Sequence, residues 1–236
     1  MNVYFLVEGA RTEVQVYPAW LKHLTPDLKP VARLADYTLV TENNYCLISG
    51  GGYPRILTNL LPQAVADVNA SKRFHYLVIC IDADEVSADE RRLEVQEHLS
   101  RNPIFQPTEP VTLIQNRCIE TWLLGNRRVF PRNPQHEKLR GYIEHYNVSR
   151  NDPELMEKPT AYPRSIGSFH TSYLEAIFQE RTITYSKNDA RHVQERSYLD
   201  RLRERIVETP NHLGTFQAFI EFCRQVNPNL PEIIAS

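Results

Sequence analysis

Several common signatures are missing from this chain, and each absence removes a class. No apolar run approaches the ~18–20 residues that a helical membrane span needs, so no membrane association is expected. Cysteine is scarce: Cys46, Cys80, Cys118 and Cys223 lie far apart and no two have metal-ligand spacing. They read as small buried hydrophobes in a reducing cytoplasm, not as a disulfide framework. The start, MNVYFLVEG, has no basic stretch, and Glu8 cuts its apolar run short, which is not the pattern of a signal peptide. The eight histidines are scattered without an HExxH pattern. No GxSxG elbow is present, which argues against an α/β-hydrolase. No Gly-Lys-Ser/Thr follows a glycine loop, so there is no Walker A segment and no nucleotide is expected on the chain itself. Repeats and low-complexity tracts are absent as well. The net charge of −2 advertises no polyanion partner.

What is present points to a folded α/β protein. The 236 residues are 42% hydrophobic, enough for a substantial core. Residues 3–7 are apolar and β-prone, and residues 12–24 follow with apolar side chains at helical spacing, Val16, Ala19, Trp20 and Leu24. Thr12, with Glu13 close behind, is a candidate helix start. Residues 37–40 and 46–48 are short strand candidates. Gly50, Gly51 and Gly52 then break the chain, and Ile56, Leu57, Leu60, Leu61, Ala64, Val65 and Val68 trace an amphipathic helix. Residues 76–81 form a continuous apolar run, the mark of a parallel strand covered on both faces. A charged helix over 88–99, a strand over 111–114 and a short helix over 118–124 complete the alternation. The pattern predicts a layered sheet of about four parallel strands flanked by helices, with functional groups at the strands' carboxyl ends.

After Asn126 the periodicity weakens under Pro131, Pro134, Pro153, Pro159 and Pro163. Loops and short helices are expected over 127–168, then helices over 172–178, 193–207 and 215–226. This second part reads as a helical cover on the same sheet. Charge divides similarly: residues 1–126 carry 11 Lys/Arg and 15 Asp/Glu, and residues 127–205 carry 15 and 11. A basic segment follows an acidic one, either as ordinary solvated surface or as a lobe that contacts a nucleic-acid backbone.

The chemistry is concentrated at VICIDADE, residues 78–85. A strand destined for the core ends in Asp82, Asp84 and Glu85. Strand side chains alternate, so Asp82 and Asp84 would face the same way. Two close carboxylates resist joint ionisation, and a divalent cation resolves the conflict. A solvated turn after a strand is the plain alternative. The motif alone does not choose among enzyme classes, because DADEV also fits the DxDx[TV] of haloacid-dehalogenase-like phosphatases, and nucleotide-sugar glycosyltransferases carry a metal-binding DxD. The second motif is VEGARTE, residues 7–13, which puts Glu8 at the end of the first strand and lets Gly9 open a sharp turn. In one parallel sheet Glu8, Asp82 and Asp84 would converge on one edge.

An early strand-Glu-Gly followed by a later strand-DxD resembles the Toprim domain, in particular that of OLD-family nucleases and their small standalone bacterial relatives. NRCIETWLL, residues 116–124, also resembles a stretch of the standalone proteins. The resemblance covers residues 1–125, expected as a Toprim catalytic domain, with 126–236 as a loop-rich, then helical extension packing on it. It implies that Glu8, Asp82 and Asp84 bind Mg2+, or Mn2+ in its place, and catalyse phosphodiester cleavage in DNA or RNA. Glu13 matches a second acidic position, and Glu120 is drawn toward a metal role. By its neighbours alone Glu120 is either on a minor exposed face or aimed at a site. Such nucleases also use a lysine, for which Lys158 and Lys187 are candidates. The resemblance further implies a toxic antiphage effector controlled by an ABC-type ATPase partner. A non-catalytic binding subunit and a DxD phosphatase or glycosyltransferase stand as alternatives.

Remaining candidates are phosphate contacts. The Gly50–Gly52 loop either cradles a phosphate through Gly51 or is a plain turn, and Arg55 just beyond could contact one. Arg11, inside the first motif, is a further candidate. Trp122 is either core or a base-stacking ring.

Overall fold

The computed structural model describes residues 1–31, 41–105 and 107–232. Five parallel strands form one sheet: β1 (Asn2–Val7), β2 (Lys29–Pro30), β3 (Asn44–Ser49), β4 (Tyr76–Asp82) and β5 (Glu109–Gln115), in the order β2-β3-β1-β4-β5. The fold is α/β and Rossmann-like, with helices on both faces. The sequence pattern gives four of these strands. It misses β2, whose two residues are exposed and include Pro30; a proline edge strand this short leaves no periodic trace. The candidate strand at 37–40 lies outside the described residues.

Alternation along the strands separates two cores. Val3, Phe5 and Val7 of β1, with Val78 and Cys80 of β4, face α1 (Glu13–Leu24), α4 (Ile119–Leu123), α6 (Ile166–Glu180), α8 (Arg196–Glu208) and α9 (Gly214–Val226). Tyr4 and Leu6, with Leu77, Ile79 and Ile81, face α2 (Leu61–Ser71) and α3 (Ala88–Arg101). Both central strands are covered on both sides, which is why they read as unbroken apolar runs.

Local signals set the helix boundaries. Ser87 and Glu90 form a reciprocal capping box at the start of α3. Thr12 precedes α1 but makes no capping hydrogen bond through its side chain. The helix expected after the glycine loop begins as a π-helical turn, Ile56–Leu60, before continuing into α2. In the second half α5 (Glu137–His145) occupies the proline-punctuated stretch, and the helix expected over 172–178 runs the full length of α6. The helix expected over 193–207 is broken at Glu195, whose ψ of 139° leaves helical space and separates α7 (Arg191–Gln194) from α8.

Residues after 126 share the core of the sheet. Phe219 of α9 stacks on Trp122 at 5.8 Å and meets Tyr17 of α1 edge-on at 5.4 Å, while Phe222 touches Phe5 of β1 at 6.0 Å. Trp122 is fully buried and its indole N–H donates to Thr215 Oγ1 at 2.8 Å, which makes it a core residue. All four cysteines are buried and free. No helix among the described residues is long and apolar enough to cross a membrane.

Candidate active site

Chain order reverses beside β1. The first crossovers place β3 on one side of it, and the next moves to β4 on the other. Ligands of open α/β sheets collect at the carboxyl ends of strands flanking such a switch point. Glu8 follows β1 and Asp82 ends β4 at that point.

The two acids are physically joined. The Glu8 N–H donates to Cys80 O at 3.0 Å, extending the β1–β4 ladder by one rung. Glu8 Oε2 then accepts the backbone N–H of Asp82 at 3.1 Å, and Oε1 accepts that of Tyr53 at 3.0 Å. The glycine loop explains the second bond. Gly51 and Gly52 take φ of +68° and +89°, a region that suits glycine, and the Gly52 N–H donates to Glu8 O at 3.1 Å. The loop therefore wraps Glu8. N–H groups of Gly50, Gly52 and Tyr53 are already engaged within the protein, which favours the plain-turn reading of the loop over a phosphate cradle around Gly51. Arg91 secures the arrangement from α3: its guanidinium lies 4.0 Å from the Tyr53 ring centroid and bonds Ala83 O and Glu94.

Asp84 reaches the site by a different route from the one strand alternation suggests. β4 ends at Asp82, and Asp84 sits beyond it in left-handed space, φ +53°. Its N–H donates to Arg117 O at 3.0 Å, and the Arg117 guanidinium returns bonds to Asp84 O and Val86 O. A turn clamped by Arg117 thus brings Asp84 toward Glu8 and Asp82. Glu85 leaves the group. Its carboxylate accepts the N–H of Ile166 at 2.7 Å, at the start of α6, and pairs with Lys158 at 3.5 Å.

Glu13 and Glu120 add two buried acids. Gly9 packs directly on Glu13: a Cβ there would lie 1.9 Å from its carboxylate and would push that side chain aside. Glu120 is 1% exposed, so the minor-face alternative falls. It accepts the Tyr185 hydroxyl at 3.2 Å and pairs with Lys187 at 3.7 Å. Of the two lysine candidates, Lys187 is the one at the carboxylates, drawn also toward Asp82 and Glu13. Lys158 is spent on Glu85 and the Arg164 carbonyl. Arg11 and Arg55 are exposed.

Electrostatics of the group follow from burial and like charge. Glu13 is pushed up to about 7 by burial first, then by Glu120 and Glu8. Asp82 is raised well above its ordinary value by burial, with Glu13, Glu8, Asp84 and Glu120 adding repulsion. Glu8 and Asp84 are also raised, again chiefly by burial. One Asp82 oxygen, Oδ1, is buried without a hydrogen-bond partner. Among the described residues no three acid, histidine or cysteine side chains are already drawn together as they would be around one ion. Sequence reasoning missed Arg91, Arg117, Tyr53 and Tyr185. Arg117 lies inside NRCIETWLL and Tyr53 beside the glycine loop, but no local pattern marks either as functional, and each of the four acts through a partner distant in the chain.

Comparison with protein-family models, curated proteins and solved structures finds no match for this chain.

Proposed function

We propose that this chain is a divalent-cation-dependent endonuclease of the Toprim type, acting on phosphodiester bonds of DNA or RNA. The observation that carries the reading is the junction at the topological switch point. The Asp82 backbone N–H donates to the Glu8 carboxylate, Asp82 keeps a buried oxygen without a partner, and Lys187 stands at the acids' side. A turn of solvated acids needs none of these features.

The donor set suits a hard cation. It consists of carboxylate oxygens, burial and repulsion oppose their charge, and Asp82 Oδ1 awaits a partner. Glu8, Asp82 and Asp84 would hold Mg2+, or Mn2+ in its place, with Glu13 and Glu120 beside them. When bound, such a cation polarises phosphate oxygens and lowers the pKa of water. The chain's own residues supply the rest. The two amide bonds to Glu8 fix the plane of its carboxylate, and its raised proton affinity suits a general base. The half-exposed Lys187 ammonium offers positive charge to a phosphate whose negative charge grows in the transition state. Tyr185 and Lys187 together hold Glu120 in place.

The wider role rests on the resemblance alone: a cytoplasmic toxic effector of a bacterial antiphage system, controlled by an ABC-type ATPase partner. ATP dependence would reside in that partner. Expression in bacteria tests it. Wild type should be toxic without the partner and Glu8→Ala harmless; a harmless wild type removes the effector role.

Cleavage is tested with plasmid DNA and total tRNA in Mg2+, Mn2+ or EDTA, beside an Asp82→Asn/Asp84→Asn variant. Metal-dependent cutting that the variant loses is expected. Folded wild-type protein that cuts neither substrate, with or without its partner, overturns the reading.

A further inference from the structure

Arginines of the basic half gather in a cleft separate from the carboxylates. It has a volume of about 860 Å³, and Arg127, Arg128, Arg132 and Arg181 line it. Glu180 is the one acid among its described lining residues, which leaves a surplus of three positive charges. That acid is tied down: its two oxygens accept the backbone N–H groups of Gln135 and His136 at 2.7 and 2.9 Å. Arg127 pairs with Glu208 at 3.1 Å. Arg128, Arg132 and Arg181 are exposed, and among the described residues their guanidiniums have no ion-pair or hydrogen-bond partner.

Ordinary solvated surfaces intersperse both signs. Three unpaired guanidiniums around one hollow repel one another and attract an anion, and guanidinium is the group that grips phosphate oxygens in pairs. A second hollow of about 330 Å³ shares Arg127 and Arg128, but there Arg201 pairs with Glu204, Arg127 with Glu208, and Arg205 is buried, so the unpaired charge is concentrated in the first cleft. Chain connectivity ties the cleft to the acids. Arg127 lies seven residues beyond Glu120, which bounds their separation at about 25 Å. Arg181 lies six residues before Lys187, a bound of about 22 Å. These are bounds between Cα atoms; a nucleic-acid strand advances 3.4 Å per phosphate in a duplex, so about seven steps, plus the reach of the side chains, span the distance.

We infer that this cleft binds the sugar–phosphate backbone of a nucleic acid, a few nucleotides from the bond presented to the carboxylates. The choice of nucleic acid over another phosphate ligand rests on the nuclease reading. The cleft's affinity for phosphate oxygens does not. Half-buried Phe130 places a ring at the cleft on which a base can stack.

The test is anisotropy of labelled single-stranded and duplex oligonucleotides in EDTA, over a range of salt. The proteins are wild type, Arg128→Glu/Arg132→Glu/Arg181→Glu, and the same three positions changed to Lys. The Glu variant should bind at least tenfold more weakly. Its log Kd against log salt should be shallower by up to about 3, near 0.9 for each phosphate no longer neutralised. The Lys variant should keep most of the affinity. If the Glu variant does not fold, the three Arg→Gln changes give the same reading. Unchanged affinity and slope in a folded variant overturn the proposal, as does a wild type that binds no oligonucleotide. Competition by inorganic tripolyphosphate at lower concentration than by oligonucleotide, counted per phosphate, assigns the cleft to free polyphosphate and overturns the nucleic-acid assignment. The two readings fail separately. Wild type that binds through these arginines but never cuts keeps the cleft and removes the nuclease. Wild type that cuts, with a Glu variant that binds and cuts equally well, does the reverse.

Discussion

Glu13→Gln should stabilise the protein in EDTA at pH 8 and leave it nearly unchanged at pH 4.5. Glu13 is 6% exposed, and burial with two neighbouring acids moves its carboxyl from 4.5 to about 7. The folded state therefore holds a proton that the unfolded chain has released between those pH values. Stability is fully present below pH 4.5 and falls as pH rises through about 7. The loss is about 3 kcal/mol. Glutamine keeps the shape and cannot ionise, so the variant escapes this loss. For a chain of this size 1 kcal/mol corresponds to roughly 2–4 °C in Tm, so the variant should melt about 6–12 °C above wild type at pH 8. Wild type should keep a residual slope of the same sign from Asp82, Glu8 and Asp84, all raised. Adding Mg2+ at pH 8 should raise the wild-type Tm, because the ion supplies the charge that burial denies. Thermal unfolding at several pH values reads all of this. A Tm difference that does not change with pH, or a variant less stable at pH 8, would refute the argument that these acids are crowded against their own ionisation.

Other perturbations separate roles that proximity alone confuses. Lys187→Met should lower cleavage by about 10²–10³-fold, the usual effect of removing one transition-state donor; Lys187→Arg should recover part of the rate in the same assay, and equal loss in both would contradict a charge-based role. Arg91→Met removes the stack on Tyr53 and the bonds to Glu94 and Ala83 O. It should lower stability by about 1–2 kcal/mol in urea titrations and reduce cleavage through a freed glycine loop, since Ala83 O and Glu94 each lose a charged donor and Tyr53 its stacking cation. Trp122→Ala should lose about 3–5 kcal/mol of stability by opening a core cavity. Trp122→Phe should retain oligonucleotide affinity, and a specific loss of binding in that variant would restore the base-stacking reading.

How much of this was legible in the sequence depended on how local the signal was. β1 and β4 showed as apolar runs because both faces are covered, and α3 showed as a charged helix, although its capping box of Ser87 and Glu90 emerged only in the structure. Glu8 and Asp82 were legible because each ends such a run, so their meeting follows once the two strands pair. Asp84 was named for a reason that does not hold: strand alternation predicts its direction, whereas a left-handed residue and the Arg117 clamp determine it. The burial of Glu120 was undecidable beforehand, since one acid in an apolar helix fits either face, and its partners Tyr185 and Lys187 lie 65 and 67 residues on. Lys187 and Lys158 could not be told apart for the same reason. The basic character of the second half was visible as a count, but the sorting of its arginines into paired and unpaired sets depends on tertiary neighbours.

The site is also composite in a way that joins the two halves of the chain energetically. Glu8, Glu13, Asp82, Asp84 and Glu120 come from residues before 126, and Lys187, the ammonium drawn toward them, comes from beyond. The same division runs through the core. Phe216, Phe219 and Phe222 of α9 are buried against Trp20, Trp122, Tyr17 and Phe5, all of the first half. Each such ring buries roughly 150–250 Å². At about 1.5–3 kcal/mol for each fully buried side chain the three together contribute on the order of 5–9 kcal/mol. Whole domains are stable by only about 5–15 kcal/mol. The first half therefore depends on the second for its stability as well as for its positive charge. An acid cluster that opposes its own ionisation can persist in the folded state because α9 and its neighbours supply that margin.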